Sequence, residues 1–244
     1  MSSPTSTGLS REENRRKALA GVQAIFDRYK LVQAKNGPAF DNATMAGAVV
    51  LDASIGPPYD MPSPQPASYS SPRPSSSSSP AVAGVNVGAG PSAPPPPDTG
   101  IVSSCTSKLY IGEEFGNYNG VLHGGAAGVI FDMLTTIALG PIARPGFWSF
   151  LGGVTRTLNL SYLKAVPIGT TVIVHAYVYQ VGKRMAYIKG WMTSEDGKTI
   201  YAVCDQHKIH LPTLKEHLDL RVPWDDLWDE DGKERPKSTL NARL

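Results

Sequence analysis

An α+β fold, an antiparallel sheet wrapped around one buried helix, is predicted for this 244-residue chain by three observations. Residues 124–143 form an apolar run whose only ionisable residue is Asp132, and such a run belongs inside a protein rather than on its surface. Between residues 153 and 211 lie four segments of strand character, separated by short turns. A sheet with an apolar face next to one apolar helix buries both by wrapping the first around the second.

The chain begins with a helix. Ser10 and Glu13 have the spacing of a capping box, and Leu19, Val22, Phe26 and Tyr29, with Ile25 and Val32, recur at helical period over about residues 10–35. Gly37 and Pro38 end it. Its basic outer face is expected to be solvated. Ala46–Ile55 has the β-branched content of a short strand. From Pro57 to Asp98 the composition shifts to Pro, Ser, Ala and Gly, with Asp60, Arg73 and Asp98 the only charges. Such a stretch buries too little apolar surface to offset its chain entropy, so a disordered insertion is expected at 57–98.

Order is expected to resume near Gly100, with Ile101, Val102, Cys105, Leu109 and Ile111 marking a second strand and Glu113 to Asn119 a polar turn. The central helix then starts at His123-Gly124-Gly125 and is broken by Gly140, Pro141 and Pro145. Gly153–Ala165 alternates, placing Val154, Leu158, Leu160 and Tyr162 on one face and Thr155, Thr157, Asn159 and Ser161 on the other. Thr171–Val181, Arg184–Ser194 and Thr199–Leu211 continue the strand pattern, the last two joined by the hairpin pair Asp196-Gly197. A meander of consecutive strands is the expected topology. Beyond Pro212 the chain is charged, and Trp224, Leu227 and Trp228 are expected to pack back on the domain. The organisation is therefore an N-terminal extension at 1–38, a domain formed by 39–56 and 99–212, the insertion at 57–98, and a charged tail at 213–244.

Bulk properties exclude several functions. The formal net charge is +2, from 23 basic and 21 acidic residues, which gives no electrostatic reason for a nucleic-acid or anionic-membrane partner. Cys105 and Cys204 lack metal-ligand spacing, so no metal and no cofactor is expected, and a disulfide between them is not needed at this size. The central run, with Asp132 and its glycine-rich start, suits a core helix better than an integral membrane segment. Residues 1–10 lack the apolar core of a secretory signal, and a cytoplasmic location is expected. A mitochondrial one is the alternative that Arg11, Arg15, Arg16 and Lys17 suggest and Glu12 and Glu13 oppose.

The chemistry concentrates on the central helix. A lone carboxylate among Val129, Ile130, Phe131, Met133 and Leu134 is expensive unless it is used or well hydrogen-bonded. At the helix start, unpaired N–H groups at Gly124 and Gly125 and the positive end of the helix dipole point at an incoming oxygen. An acid inside and an anion-binding mouth outside suggest acyl chemistry. Each residue also has a bland reading: Asp132 as a satisfied buried acid, His123 as a helix cap, Asn117 as a turn residue, Thr155 as one of several alternating threonines. Lys183 and Arg184, at a turn, are candidates for binding an anionic group of a ligand beside the reading as ordinary solvated bases. An α/β-hydrolase is excluded because the chain has no Gly-x-Ser-x-Gly elbow, and neither a dinucleotide fingerprint nor a P-loop is present.

Asn117, then five residues, then His123-Gly124-Gly125, then Asp132 on the helix is a pattern that resembles the hotdog-fold acyl-CoA thioesterases of the HGG-containing, PaaI-like branch. The resemblance covers about residues 40–55 and 99–211. It implies hydrolysis of acyl-CoA thioesters by a homodimer or a dimer of dimers, with sites across the subunit interface. It further implies that the Gly124 N–H, assisted by Asn117, polarises the carbonyl, and that His123 fixes the loop or Asn117. Asp132 then either deprotonates a water that Thr155 positions or attacks directly to give a mixed anhydride. Spacing leads to the same interface: Gly124 and Asp132 are separated by roughly 12 Å along one helix, too far to serve one carbonyl. Two antiparallel helices from two subunits solve this. Phe147, Trp148 and Phe150 are expected to shape the acyl pocket. A hotdog hydratase or dehydratase and a non-catalytic acyl-CoA-binding module are the alternative functions.

Overall fold

The computed structural model describes residues 9–57, 100–229 and 231–236. The expected disordered insertion lies, apart from Pro57, outside the described residues, as do the first eight residues and the last eight.

Helix α1 spans Arg11–Asn36 and starts on the predicted capping box: Ser10 Oγ accepts from the Glu13 N–H at 3.3 Å, and Glu13 Oε2 accepts from the Ser10 N–H at 3.1 Å. Ser10→Ala is expected to lower stability by about 1 kcal/mol, read as a lower urea midpoint at unchanged slope. Val22, Ile25, Phe26 and Tyr29 are buried as the periodicity requires. The basic face departs from expectation at Arg28, which is 4% exposed; its Nη2 donates to the Asp225 carboxylate and its Nε to Leu220 O in the C-terminal segment. A buried guanidinium persists there because it is both ion-paired and hydrogen-bonded.

A helical turn, α2 (Asn42–Gly47), precedes β1 (Val49–Ile55), so the first strand starts three residues later than its composition suggested. The remaining strands are β2 (Ser103–Ile111), β3 (Val154–Tyr162), β4 (Thr170–Val181), β5 (Met185–Ser194) and β6 (Ile200–Ile209). All pairings are antiparallel, in the order β1-β2-β4-β5-β6-β3. The meander holds for β4 to β6, with Gly197 at φ +71° in the predicted hairpin. It fails for β3, which crosses to the far edge and pairs with β6 rather than β4. The connection after β3 is tied down on the way, since the Leu122 N–H donates to Val166 O and the Ile168 N–H to Gly120 O.

The concave side of this sheet holds α3 (Gly124–Thr136), extended by a 3₁₀ segment at Ile137–Ile142. Ile130, Phe131, Leu134, Ile137 and Leu139 are at most 1% exposed, which makes the helix the centre of the core. This is the hotdog arrangement that the resemblance implies. The run Gly124–Ile142 is apolar and long enough to cross a bilayer, but most of it is buried in the domain. On β5, Gly190 faces α3: a Cβ there would stand 2.8 Å from Thr135 Cγ2 and 3.0 Å from the Phe131 ring, so glycine sets how closely helix and sheet approach.

Behind the 3₁₀ segment, α1 comes within backbone contact of Gly140; a Cβ on Gly21 would lie 2.4 Å from Gly140 O. Trp224 and Trp228 pack edge to face on each other and cluster with Ala24 of α1, and Trp224 Nε1 donates to Ala143 O at 3.0 Å, as expected for covering tryptophans. Both cysteines are free and buried, and burial pushes the Cys105 thiol up to about 12.

Candidate functional site

Asp132 sits one helical turn before Thr136 and faces the inner side of β3 and β6. Its Oδ1 accepts from Thr155 Oγ1 at 2.5 Å and from Gln206 Nε2 at 2.7 Å. Oδ2 has no hydrogen-bond partner among the described residues.

Thr155 reaches this carboxylate because of a β-bulge. In the predicted alternation it faces away from Leu158 and Leu160, but the register with β6 slips between Thr155 and Thr157. Arg156 is the extra residue, so Thr155 opposite Lys208, Leu158 opposite Gln206 and Leu160 opposite Cys204 share the inner face. Thr157 is turned outward, where its Oγ1 lies 3.1 Å from His207 Nδ1.

The Thr155 hydroxyl is saturated. It donates to Asp132, and it accepts from Gln206 Nε2 at 2.9 Å and from Lys208 Nζ at 3.1 Å. One proton and two lone pairs are all a hydroxyl has, so Thr155 fixes the carboxylate and has no free position with which to orient a water. Gln206 is fixed in turn: its Oε1 accepts from Thr135 Oγ1 at 2.6 Å, which directs both of its N–H bonds to Asp132 and Thr155.

Gln206 and Lys208 are the members of the site that sequence reasoning missed. They are 0% and 3% exposed. The signal was present in β6, where the inward period that runs through Ala202 and Cys204 continues into two polar residues. Burial lowers the Lys208 ammonium to about 8, and the negative charge of Asp132 opposes that shift.

At the other end of α3, His123 is the N-cap and its Nδ1 accepts from the Gly125 N–H at 2.9 Å. Gly125 therefore spends its donor on the cap, while the Gly124 N–H has no partner among the described residues. Tyr162 Oη donates to Gly124 O at 2.8 Å and pins this turn to β3. The Asn117 side chain closes its own turn, Oδ1 accepting from the Asn119 N–H at 2.9 Å, and Nδ2 is left over. Asn117 and His123 line an open cleft of about 920 Å³. A second cleft of about 390 Å³, lined by Leu122, Ala127, Leu163, Val166 and Met192 among others, opens beside Gly124.

One chain thus brings Asp132 and Thr155 together and leaves Asn117, His123 and Gly124 at the opposite end of the helix. Lys183 and Arg184 lie exposed at the β4–β5 turn, in a cleft with Tyr187 and His207. Tyr187 and His207 stack on the outer face of the sheet, whereas the Asp132 network is on the inner face. Trp148 is 1% exposed, its Nε1 donating to Gly182 O, and Phe150, 8% exposed, lines a different cleft, of about 340 Å³, between α1 and the C-terminal segment. Their loop is held in left-handed backbone at Trp148, Phe150 and Leu151 (φ 53°, 30° and 58°), and packing into the core holds it there. Among the described residues no group of His, Cys, Asp and Glu could hold a metal ion.

Comparison with known proteins shows what the chain is similar to. Residues 119–201 match the sequence profile of the thioesterase superfamily. Acyl-coenzyme A thioesterase 13 of Mus musculus is 29% identical over 115 residues, which are 46% of this chain and 78% of that protein. The Homo sapiens protein of that name is 29% identical over 105 residues, 43% of this chain and 70% of its own length. Among solved structures, zebrafish thioesterase superfamily member 2 aligns with a TM-score of 0.45 at 18% identity, covering 75% of this chain and 94% of that one. The Escherichia coli PaaI protein aligns at 0.38 and 14% identity, over 45% and 73%.

Proposed function

We propose that this chain, which matches the thioesterase-superfamily profile over residues 119–201 and is 29% identical to acyl-coenzyme A thioesterase 13 over 115 residues, hydrolyses acyl-CoA thioesters to the free acid and CoA, Asp132 acting on a water or directly on the carbonyl carbon. The observation that carries this reading is the state of the carboxylate: Oδ1 is tied down by Thr155 and Gln206, and Oδ2 is left unpaired. An oriented carboxylate with one free oxygen suits a general base or a nucleophile.

The carbonyl oxygen of the substrate is held by the Gly124 N–H of the partner protomer, at the positive end of its α3, with the partner's Asn117 amide in support; a preorganised donor of this kind is worth about 3 kcal/mol. The edge position of β3 supports that arrangement. β3 is an edge of the sheet, with Val154 49% and Tyr162 57% exposed, and it carries Thr155 at one end and the Tyr162 contact to Gly124 at the other. Two such edges related by a two-fold axis set the helices antiparallel, Gly124 of one against Asp132 of the other. A monomeric variant is then inactive. The apolar cleft beside Gly124 takes the acyl chain, and Lys183 and Arg184 are solvent-facing candidates for CoA phosphates.

Thiol release across short, medium, long and aryl acyl-CoAs tests the proposal. Stoichiometric CoA and carboxylate are expected; binding without thiol release, or a change at the acyl double bond instead, would overturn it. Thr155→Val, which removes the donor to Asp132, is expected to lower kcat about tenfold with KM nearly unchanged, as for a lost charge-assisted hydrogen bond.

A further inference from the structure

We propose that Lys208 is a positioning residue that sets the alkaline limit of the reaction: while charged it donates to Thr155 and keeps the threonine proton on Asp132, and once neutral it lets that proton turn away. The inference rests on the hydrolytic reading above.

The geometry leaves little choice of role. Lys208 stands opposite Thr155 in the β3–β6 pairing, on the inner face, with Nζ 3.1 Å from Thr155 Oγ1. It makes no ion pair among the described residues, so its charge is not there to match a carboxylate directly. Its one polar contact among the described residues is a hydroxyl that already accepts from Gln206 and donates to Asp132. With the ammonium as a second donor, both lone pairs of Oγ1 are filled and the hydroxyl proton has Asp132 as its destination. A neutral amine has a lone pair of its own. The Thr155 hydroxyl can then donate to Nζ, and Asp132 Oδ1 loses its 2.5 Å bond together with the nearby positive charge.

The groups around Lys208 make it the one that titrates in this range. From α3 it is faced by Asp132, which favours the charged form. From β3 it meets Thr155 and from β5 Ala186, neither of which ionises. On its own strand Gln206 is uncharged, Asp205 and His207 face outward to Tyr187, and His210, two residues on, packs edge-on against Trp148 at 5.2 Å. Burial brings Lys208 to about 8, so the ammonium is the resting form at neutral pH and is lost by release of a proton to water just above it.

Profiles of kcat/KM from about pH 6 to about pH 10 for wild type, Lys208→Arg and Lys208→Met test this. Wild type is expected to fall about tenfold across a limb centred near pH 8 and then level off. Lys208→Arg should carry its acid-range activity through the whole window, and Lys208→Met, which has no amine to take the Thr155 proton, should show a flat profile with no limb near pH 8. A limb at the wild-type position in either variant would overturn the inference. A second measurement needs neither turnover nor a variant of Lys208. The ¹³Cε resonance of Lys208 should titrate near pH 8 in wild type and at lower pH in Asp132→Asn, because the opposing carboxylate charge is gone. An unmoved midpoint would sink the coupling even in a protein that hydrolyses acyl-CoA. Absence of any thiol release, with the midpoint shifted as expected, would instead defeat the hydrolytic reading.

Discussion

Asp132→Asn is expected to lower turnover at least a hundredfold and to leave the fold intact. The two halves of that outcome have separate causes. Asparagine keeps Oδ1, which goes on accepting from Thr155 and Gln206, and places its NH₂ where Oδ2 has no partner among the described residues. The network therefore loses no bond. What disappears is the free carboxylate oxygen, and a general base contributes typically 10²–10⁴-fold. Steady-state thiol release with circular dichroism and thermal unfolding on the same preparations makes the comparison. A variant as active as wild type would remove Asp132 from the chemistry; an unfolded one would mean that the carboxylate is chiefly structural.

The second large effect is expected at a residue with no side chain. Gly190→Val places three carbon atoms where a single Cβ would already press on Thr135 Cγ2 and the Phe131 ring. Both neighbours belong to α3 and both are buried, so the strain cannot be passed to a flexible side chain. Overpacking of this sort costs about 1–3 kcal/mol. The activity loss should exceed what the unfolded fraction explains, because lifting α3 from β5 also separates Asp132 and Thr135 from Gln206 on β6. Urea denaturation beside kcat on the folded fraction would distinguish the two contributions. Wild-type stability in Gly190→Val would mean that helix and sheet are less tightly apposed than described.

Local signals carried far into this molecule. Ser10 and Glu13 specified the start of α1, the apolar run with one acid specified α3, and Asp196-Gly197 specified a hairpin, because each depends on residues within a few positions of one another. The motif from Asn117 to Asp132 was readable for the same reason. Two features were not. The place of β3 at the sheet edge depends on how its connection is tied to the 120–122 loop, which no local pattern encodes. The inward turn of Thr155 depends on one unpaired residue, Arg156, and strict alternation put the threonine on the wrong side. With that face misassigned, only the family resemblance and not the strand pattern linked Thr155 to Asp132, and Gln206 and Lys208 passed as ordinary polar residues of a strand. The fold was thus largely open to reading, whereas the site was only half visible, since its polar members are brought together by register rather than by spacing.

The clamp between α1 and the C-terminal segment has a consequence for how the chain is made. Arg28 bonds Leu220 O and Asp225, and Lys17 bonds Glu234, across separations of 192, 197 and 217 residues. During synthesis at roughly 5–20 residues per second, the first helix therefore waits on the order of ten seconds or more for the segment that completes its docking. In that interval the α1 face that later meets Trp224 and Trp228 is uncovered, with Arg28 unpaired. The nascent chain is thus most exposed to mispairing before residue 235 has left the ribosome, and closure of its longest loops is the last event in its assembly rather than the first.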